Sequence, residues 1–213
     1  MKLKILEIGS NTIDGQPIYS GMEDVEVLCI EPQTSTWSEH PTLPYIVGNG
    51  RKATLYVCDG TGMTSLLKPN RKVLDGLWKL RDLGRVIETR EVKTVRLDDI
   101  KEIDYFDFLK MDIQGSELTV LKSGRERLKR CLAIDLEVSF LPLYEKQPLF
   151  PEVDAELRKQ GFSIFKILSA KYWPINGHWR LIEADCLYVR DTADDPDGYL
   201  EKILDHYEKN DQS

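Results

Sequence analysis

The sequence predicts an α/β domain, a mainly parallel sheet with helices on both faces. Short, nearly unbroken apolar runs (LKILEI, VEVLCI, FDFLKM and LAIDLEV) read as strands buried on both sides. Stretches with helical spacing and a closing glycine follow the later runs, as in alternating strand and helix. No internal repeat, low-complexity segment or linker interrupts the 213 residues, so a single main domain is expected.

Taken in order, Leu3 to Ile8 is the first strand and stops at Gly9. Val25 to Ile30 is the second and stops at Glu31-Pro32. Only 16 residues separate Ile8 from Val25. A crossover takes about a dozen or more, so any helix there is short. Residues 44–47 give a brief third strand. Residues 53–57 (ATLYV) and 91–97 (EVKTVRL) are strand-like. Between them Val73, Leu74, Leu77 and Leu80 recur at helical spacing, with Gly84 as the stop. The run FDFLKM leads into Asp112-Ile113-Gln114-Gly115. Ser116 can then cap a helix that carries Leu118 and Leu121 as far as Gly124. LAIDLEV is a further strand, and Phe150, Val153 and Leu157 mark a helix that ends before Gly161. Residues 162–168 and 186–189 are the last strands. The 169–183 link has no helical period, so they pair as a long-looped hairpin. Leu200, Ile203, Leu204 and Tyr207 give a C-terminal helix one apolar face. The division is a main domain over residues 1–190, with a strand-helix-strand insert at 52–100, and an acidic tail over 191–213.

Acids outnumber bases 36 to 29, a net charge of −7. Residues 191–213 hold eight acids and two bases, so nearly all the excess lies in the tail. This balance disfavours nonspecific binding to nucleic acid or anionic lipid, and neither nucleic acid nor membrane is an expected partner. No stretch approaches the ~18 apolar residues of a membrane span, and the N-terminus lacks a signal-peptide pattern. Cys29, Cys58, Cys131 and Cys186 sit in or at the end of apolar runs with no CxxC pair. They read as reduced, buried thiols of a cytoplasmic protein. The apolar face of the tail helix packs on the domain or on a second copy of the chain, which would make a homodimer.

In sheets of this kind ligands bind beyond the carboxyl ends of the strands, near the point where strand order reverses. Residues just after strands are therefore the candidates. In EIGSNTIDG, Gly9 and Gly15 let the backbone turn tightly and approach a ligand. This is not GxGxxG, which disfavours a nicotinamide-dependent oxidoreductase, and no GK[ST] follows. Glu31 is placed to accept two hydrogen bonds from ribose hydroxyls, or else is a solvated loop acid. Asp112 lands at a strand end facing the crevice, or else favours the start of the next helix.

Longer stretches carry a resemblance. DYFDFLKMDIQGSELTVLKSG (residues 104–124) resembles the central signature of the FkbM-type S-adenosylmethionine-dependent methyltransferases, which reads vDflKiDvQGxElxvLkGa. VRLDDI (95–100) matches the TLDdl element before it, and GMTSLL (62–67) resembles the Ser-Leu element after the family's extra strand. LEVSFLPLYEKQPLFPEVDAELRKQGFSIF (136–165) resembles the stretch lEvsfxplYexqplFxevxxxLxxxGF. EADCLYVR (183–190) looks like the closing strand. The first loop departs from the family's DxGANxG. Glu7 replaces the Asp, Ser10 replaces the Ala, Asn11 is kept, and the last glycine comes two residues late at Gly15. Glu31-Pro32 matches the ribose-binding acid.

The resemblance implies a Rossmann-like class I methyltransferase fold, with a mostly parallel seven-stranded sheet whose last strand is antiparallel. It implies S-adenosylmethionine as cofactor, held by Glu7, Gly9, Ser10, Asn11, Glu31 and Asp112. The reaction it implies is O-methylation of a hydroxyl on a small-molecule or glycan acceptor. In-line placement of that hydroxyl supplies most of the acceleration, and a base adds roughly 10²- to 10⁴-fold. Asp112, Glu137 and His178 are the catalytic candidates, His178 being otherwise a solvated loop residue. Asp112 and Glu137 have the hard oxygen chemistry of a magnesium site, but two carboxylates do not make one and no metal ligand is assigned. Trp173 and Trp179 stack on the acceptor or plug the open end of the sheet. The competing reading is a non-catalytic binding protein that keeps the scaffold with an altered cofactor loop.

Overall fold

Among the described residues of the computed structural model (2–9, 19–32, 40–175, 177–192 and 194–210), the chain forms nine strands in two sheets. In chain order they are β1 (Leu3–Ile8), β2 (Val25–Ile30), β3 (Thr42–Leu43), β4 (Lys52–Cys58), β5 (Val86–Lys93), β6 (Phe108–Met111), β7 (Ala133–Ser139), β8 (Phe162–Ile175) and β9 (His178–Arg190). The helices are α1 (Arg71–Leu74), α2 (Trp78–Leu83), α3 (Glu117–Ser123), α4 (Arg125–Leu128), α5 (Phe150–Lys159) and α6 (Tyr199–Asn210).

The main sheet has seven strands in the order β3-β2-β1-β6-β7-β9-β8. All its pairings are parallel except those of β9, which runs antiparallel to both β7 and β8. The chain steps outward from β1 to β3, then returns to lay β6 on the other side of β1. The reversal therefore opens a crevice beyond the carboxyl ends of β1 and β6. This is the α/β architecture expected, with its antiparallel strand last in the chain.

Burial explains why both faces are covered. On one face Leu6, Ile8, Ile30, Leu109, Met111, Ile134 and Leu136 pack under α3 and α5, which contribute Val120, Leu121, Val153 and Leu157. On the other, Leu3, Ile5, Val27, Phe108 and Leu187 pack against Ile203 and Tyr207 of α6. The start of α6 is fixed by Asp195, whose carboxylate accepts the N–H groups of Tyr199 (2.9 Å) and Leu200 (2.7 Å). α5 carries Pro151 in its first turn, and Glu152 reaches back to the N–H of Leu149 at 3.0 Å. No helix among the described residues is long and apolar enough to cross a membrane.

Five local expectations need correction. The strand expected at 91–97 is Val86–Lys93, and Leu97 already belongs to a short 3-10 turn. The third strand is Thr42–Leu43, not 44–47, because Pro44 has no N–H to give a ladder. The helical stretch in the insert is two short helices, α1 and α2, parted at Asp75 to Leu77 around Gly76. β8 and β9 do not stop at a long loop but pair as far as Ile175 and His178. Pro174 is tolerated there because β8 is an edge strand. Ser116 occupies the residue before α3 without a side-chain capping bond. The Ser116 carbonyl accepts the N–H groups of Thr119 (3.0 Å) and Val120 (3.3 Å), and Glu117 Oε1 reaches back to the loop N–H groups of Ile113 (3.2 Å) and Gly115 (3.1 Å).

β4 and β5 form a separate antiparallel pair. The insert docks through Cys58, Met63, Leu74 and Leu77 onto Leu143 and Tyr144, with Trp173 and Ile175 of β8 alongside. It thus sits against the segments that follow the carboxyl ends of the sheet.

Candidate functional site

Side chains alternate between the faces of a strand, and the pairing register lines up one charged face. Across it Cys29, Glu7, Lys110 and Asp135 lie side by side on β2, β1, β6 and β7. One step nearer the carboxyl ends, Glu137 of β7 lies beside Asp185 of β9, and Asp185 accepts the Ser169 hydroxyl at 2.5 Å. Beyond that, Glu183 lies between Ser139 and Lys171. The same face is apolar at its other end, so charge is confined to the half nearest the crevice.

The strand ends bring Glu7, Gly9, Glu31, Asp112 and Glu137 to this edge. Gly9 has φ +85, and a Cβ there would stand 1.9 Å from the Asp112 carbonyl oxygen. No other residue fits where β1 and β6 leave the sheet this close together. The Gly9 N–H donates to Ile30 (3.0 Å) and the Asp112 N–H to Ile8 (3.0 Å), which ties the three strand ends together. Glu7 is buried and accepts the Tyr19 hydroxyl at 2.8 Å and the Cys29 thiol at 3.5 Å. Burial and then the Glu7 charge hold the Tyr19 phenol well above its ordinary range. Glu31 is also buried, its N–H donating to Leu43 at 3.1 Å. Ser10, Asn11 and Gly15 lie outside the described residues.

Asp112 is half-buried and accepts the Gln114 side-chain amide at 2.7 Å. Glu137 is buried and accepts Lys171 Nζ at 2.7 Å. Burial, then the charges of Glu183 and Asp112, push the Glu137 carboxyl up, against the pull of Lys171. Burial pushes Glu183 up to about 7, again opposed by Lys171. Burial disfavours the Lys171 charge, but Glu137 outweighs it and the ammonium stays charged. Glu117, under the Asp112 loop, is pushed up to about 8 by burial, with Glu137 and Asp112 adding to the effect. Carboxyl groups displaced in this way can hold or release a proton near neutral pH.

His178 is not part of this group. It opens β9 on the exposed end of the β8–β9 hairpin, about 17 Å along the strand from Glu183. Trp179 beside it is 72% exposed, whereas Trp173 packs against the insert. Among the described residues no group of three or more His, Cys, Asp or Glu is arranged to hold a metal ion.

Several residues of the cluster are given no role by sequence reading: Lys110, Glu117, Asp135, Tyr144, Lys171 and Glu183, while Gln114 falls within the strand-end segment 112–115. Part of the signal is present. In LAIDLEV and EADCLYV charges recur at every second position of an otherwise apolar strand, marking one polar face within a buried sheet. Nothing local points to Lys171, whereas Tyr144 stands within the stretch 136–165 that carries the family resemblance.

Among solved structures the chain is similar to a precorrin-6y C5,15-methyltransferase from Geobacter metallireducens GS-15 (11% identity, TM-score 0.42, covering 89% of this chain and 80% of that one). It is similar to a magnesium protoporphyrin IX methyltransferase from Synechocystis PCC 6803 with bound SAM (10%, 0.41, 89% and 70%). A TehB-like SAM-dependent methyltransferase from Corynebacterium glutamicum gives 11%, 0.40, 88% and 80%. Likenesses this weak add nothing to what the strand order already shows. No curated protein matches the chain. The Methyltransferase FkbM domain matches residues 19–164, most of the chain, including the strand ends that carry Glu31, Asp112 and Glu137. With that match and a class I methyltransferase strand order, the chain belongs to the FkbM methyltransferase family.

Proposed function

We propose that the protein is an S-adenosylmethionine-dependent methyltransferase acting on a hydroxyl of a small molecule, a sugar or glycan unit or a secondary metabolite. The observation that supports this best is the meeting of Glu31, Gly9 and Asp112 at the reversal point of the sheet, with Glu137 and Glu183 adjoining. The donor set fits the group. Glu31 is suited to accept the two ribose hydroxyls, and an edge rich in carboxylates suits a cofactor that carries a sulfonium and an ammonium.

When bound, S-adenosylmethionine supplies an activated methyl group. The chain's own work is then to place an acceptor hydroxyl in line and to take its proton. Asp112 is at the reversal point, and Glu137 is the second carboxylate on the same face. Either carboxylate would accept the proton that the acceptor hydroxyl gives up on methylation. Lys171 opposes the burial that pushes the Glu137 carboxyl up. The insert and the β8–β9 hairpin wall this edge, and excluding water there strengthens each charge interaction.

Calorimetry with S-adenosylhomocysteine tests the reading. Binding is expected, and Glu31→Ala is expected to weaken it by roughly 1.5–3 kcal/mol for each charged hydrogen bond lost. Equal affinity in wild type and mutant removes Glu31 from the site. An absence of binding favours the non-catalytic scaffold.

A further inference from the structure

The loop from Asp112 to Gly115 is held in a shape its sequence does not favour. Gln114 has φ +57 and Gly115 has φ +91. Left-handed backbone is ordinary for glycine and uncommon for glutamine. The Gln114 side chain is fully engaged: Nε2 donates to Asp112 Oδ1 at 2.7 Å, and Oε1 accepts the Tyr144 hydroxyl at 3.0 Å. Its backbone carbonyl accepts the Ser65 hydroxyl at 2.7 Å. Glu117 takes the N–H groups on either side of it. The loop is thus pinned by the insert, by the segment after β7 and by α3. Tyr144 is fully buried, and its hydroxyl also lies 3.3 Å from the Met63 carbonyl.

We propose that Gln114 is a positioning residue which, braced by Tyr144, aims the Asp112 carboxylate at the positive centre of the bound cofactor. This rests on the S-adenosylmethionine reading above. A half-buried carboxylate free to rotate spends part of its time turned toward water. One fixed by an amide donor presents its charge to the crevice with no reorganisation on binding. The Asp112 carboxylate, which only accepts, settles which way the Gln114 amide faces: Nε2 turns to Asp112 and Oε1 is left to accept the Tyr144 hydroxyl. The phenol from the segment after the neighbouring strand and the left-handed backbone then serve one purpose, the direction of a single carboxylate.

The test needs no acceptor. Sinefungin carries an amine where S-adenosylmethionine has its methyl sulfonium, whereas S-adenosylhomocysteine has a neutral sulfur. Calorimetry measures both ligands on wild type, Gln114→Gly, Tyr144→Phe and the double variant. Glycine suits the backbone at this position, so Gln114→Gly removes the side chain without straining the fold. Wild type is expected to prefer sinefungin. Each single variant is expected to lose at least about five-fold of that preference, with S-adenosylhomocysteine affinity changed less than about two-fold. The double variant is expected to lose no more preference than the worse single one. A residue that only braces the fold leaves the preference untouched. A preference within about two-fold of wild type in both single variants overturns the proposal. Wild type binding neither ligand overturns the S-adenosylmethionine reading itself, a different and recognisable failure.

Discussion

A buried carboxyl flanked by other carboxylates prefers to keep its proton, and Glu117 is so placed. Its pKa is pushed up to about 8 from an ordinary 4.5. Between those values the folded chain holds a proton that the unfolded chain has lost. The stability this confers is full below about 4.5 and is lost as pH rises through about 8. At 1.36 kcal/mol per pKa unit the loss is roughly 3–5 kcal/mol. Glu183, pushed up to about 7, acts in the same direction. Glu117→Gln keeps an oxygen for the N–H groups of Ile113 and Gly115 but cannot titrate. Urea midpoints at pH 5 and pH 8.5 are expected to fall with pH in wild type and to fall much less in Glu117→Gln. Equal slopes in the two proteins refute the assignment. Gly9→Ala is a second residue-scale expectation. The 1.9 Å approach to the Asp112 carbonyl forces β1 and β6 apart, so a loss above ~3 kcal/mol is expected in the same titrations. Sequence reading reached Gly9, Glu31, Asp112 and Glu137 because each lies at or near a strand end. It did not reach Lys171, whose meaning comes only from a partner 34 residues away.

At the scale of elements, α6 shows how far a periodic pattern can be read. Its apolar stripe is visible in Leu200, Ile203, Leu204 and Tyr207. That the stripe lands on the sheet face built from Leu3 and Ile5, Val27 and Phe108 is not visible, because the receiving surface comes from three separate strands. Tyr207 adds a polar contact: its hydroxyl donates to the buried Asp135 at 2.5 Å, while Lys110 holds the other oxygen at 3.1 Å. Burial raises the Asp135 carboxyl against the pull of Lys110 and the phenol, so losing either partner leaves it exposed to that penalty. Tyr207→Phe is expected to cost about 1–3 kcal/mol. Truncation after Arg190 removes Ile203 and Tyr207 from the core and is expected to cost at least roughly 3–6 kcal/mol. An unchanged melting temperature in the truncated chain would mean that α6 contributes nothing to the fold. Strand limits were read less well than strand existence. Pro44 shortened β3, and charged and aromatic residues hid the continuation of β8 and β9, because alternation is weak in an exposed hairpin.

For the whole molecule, strand order was legible because each apolar run kept its place in the chain, whereas the docking of the insert was not, since it depends on contacts between distant segments. That difference has a thermodynamic counterpart. β1, β6 and β7 are enclosed between two layers of helices, with Leu109, Met111, Ile134 and Leu136 essentially without solvent contact. β4 and β5 form a sheet apart from the main one, and β5 is exposed along nearly its whole length. The insert is held by a small separate cluster around Met63, Leu74, Leu77 and Tyr144, and by backbone bonds such as Asn70 N–H to Leu143 (2.8 Å) and Glu145 N–H to Lys68 (2.7 Å). A satellite cluster of this size should open without unfolding the main sheet. Amide hydrogen exchange followed by mass spectrometry is therefore expected to show β4 and β5 exchanging at least about 100-fold faster than β6 and β7, since a difference of 2.7 kcal/mol in opening free energy already gives that ratio. Tyr144→Phe, which loosens the hold on the Gln114 loop, is expected to speed exchange in residues 62–67 and 112–115 together while leaving β1 and β7 unchanged. Uniform protection across both sheets would show that the insert and the main sheet open as one unit, and the coupling between them would then have to be sought in global rather than local unfolding.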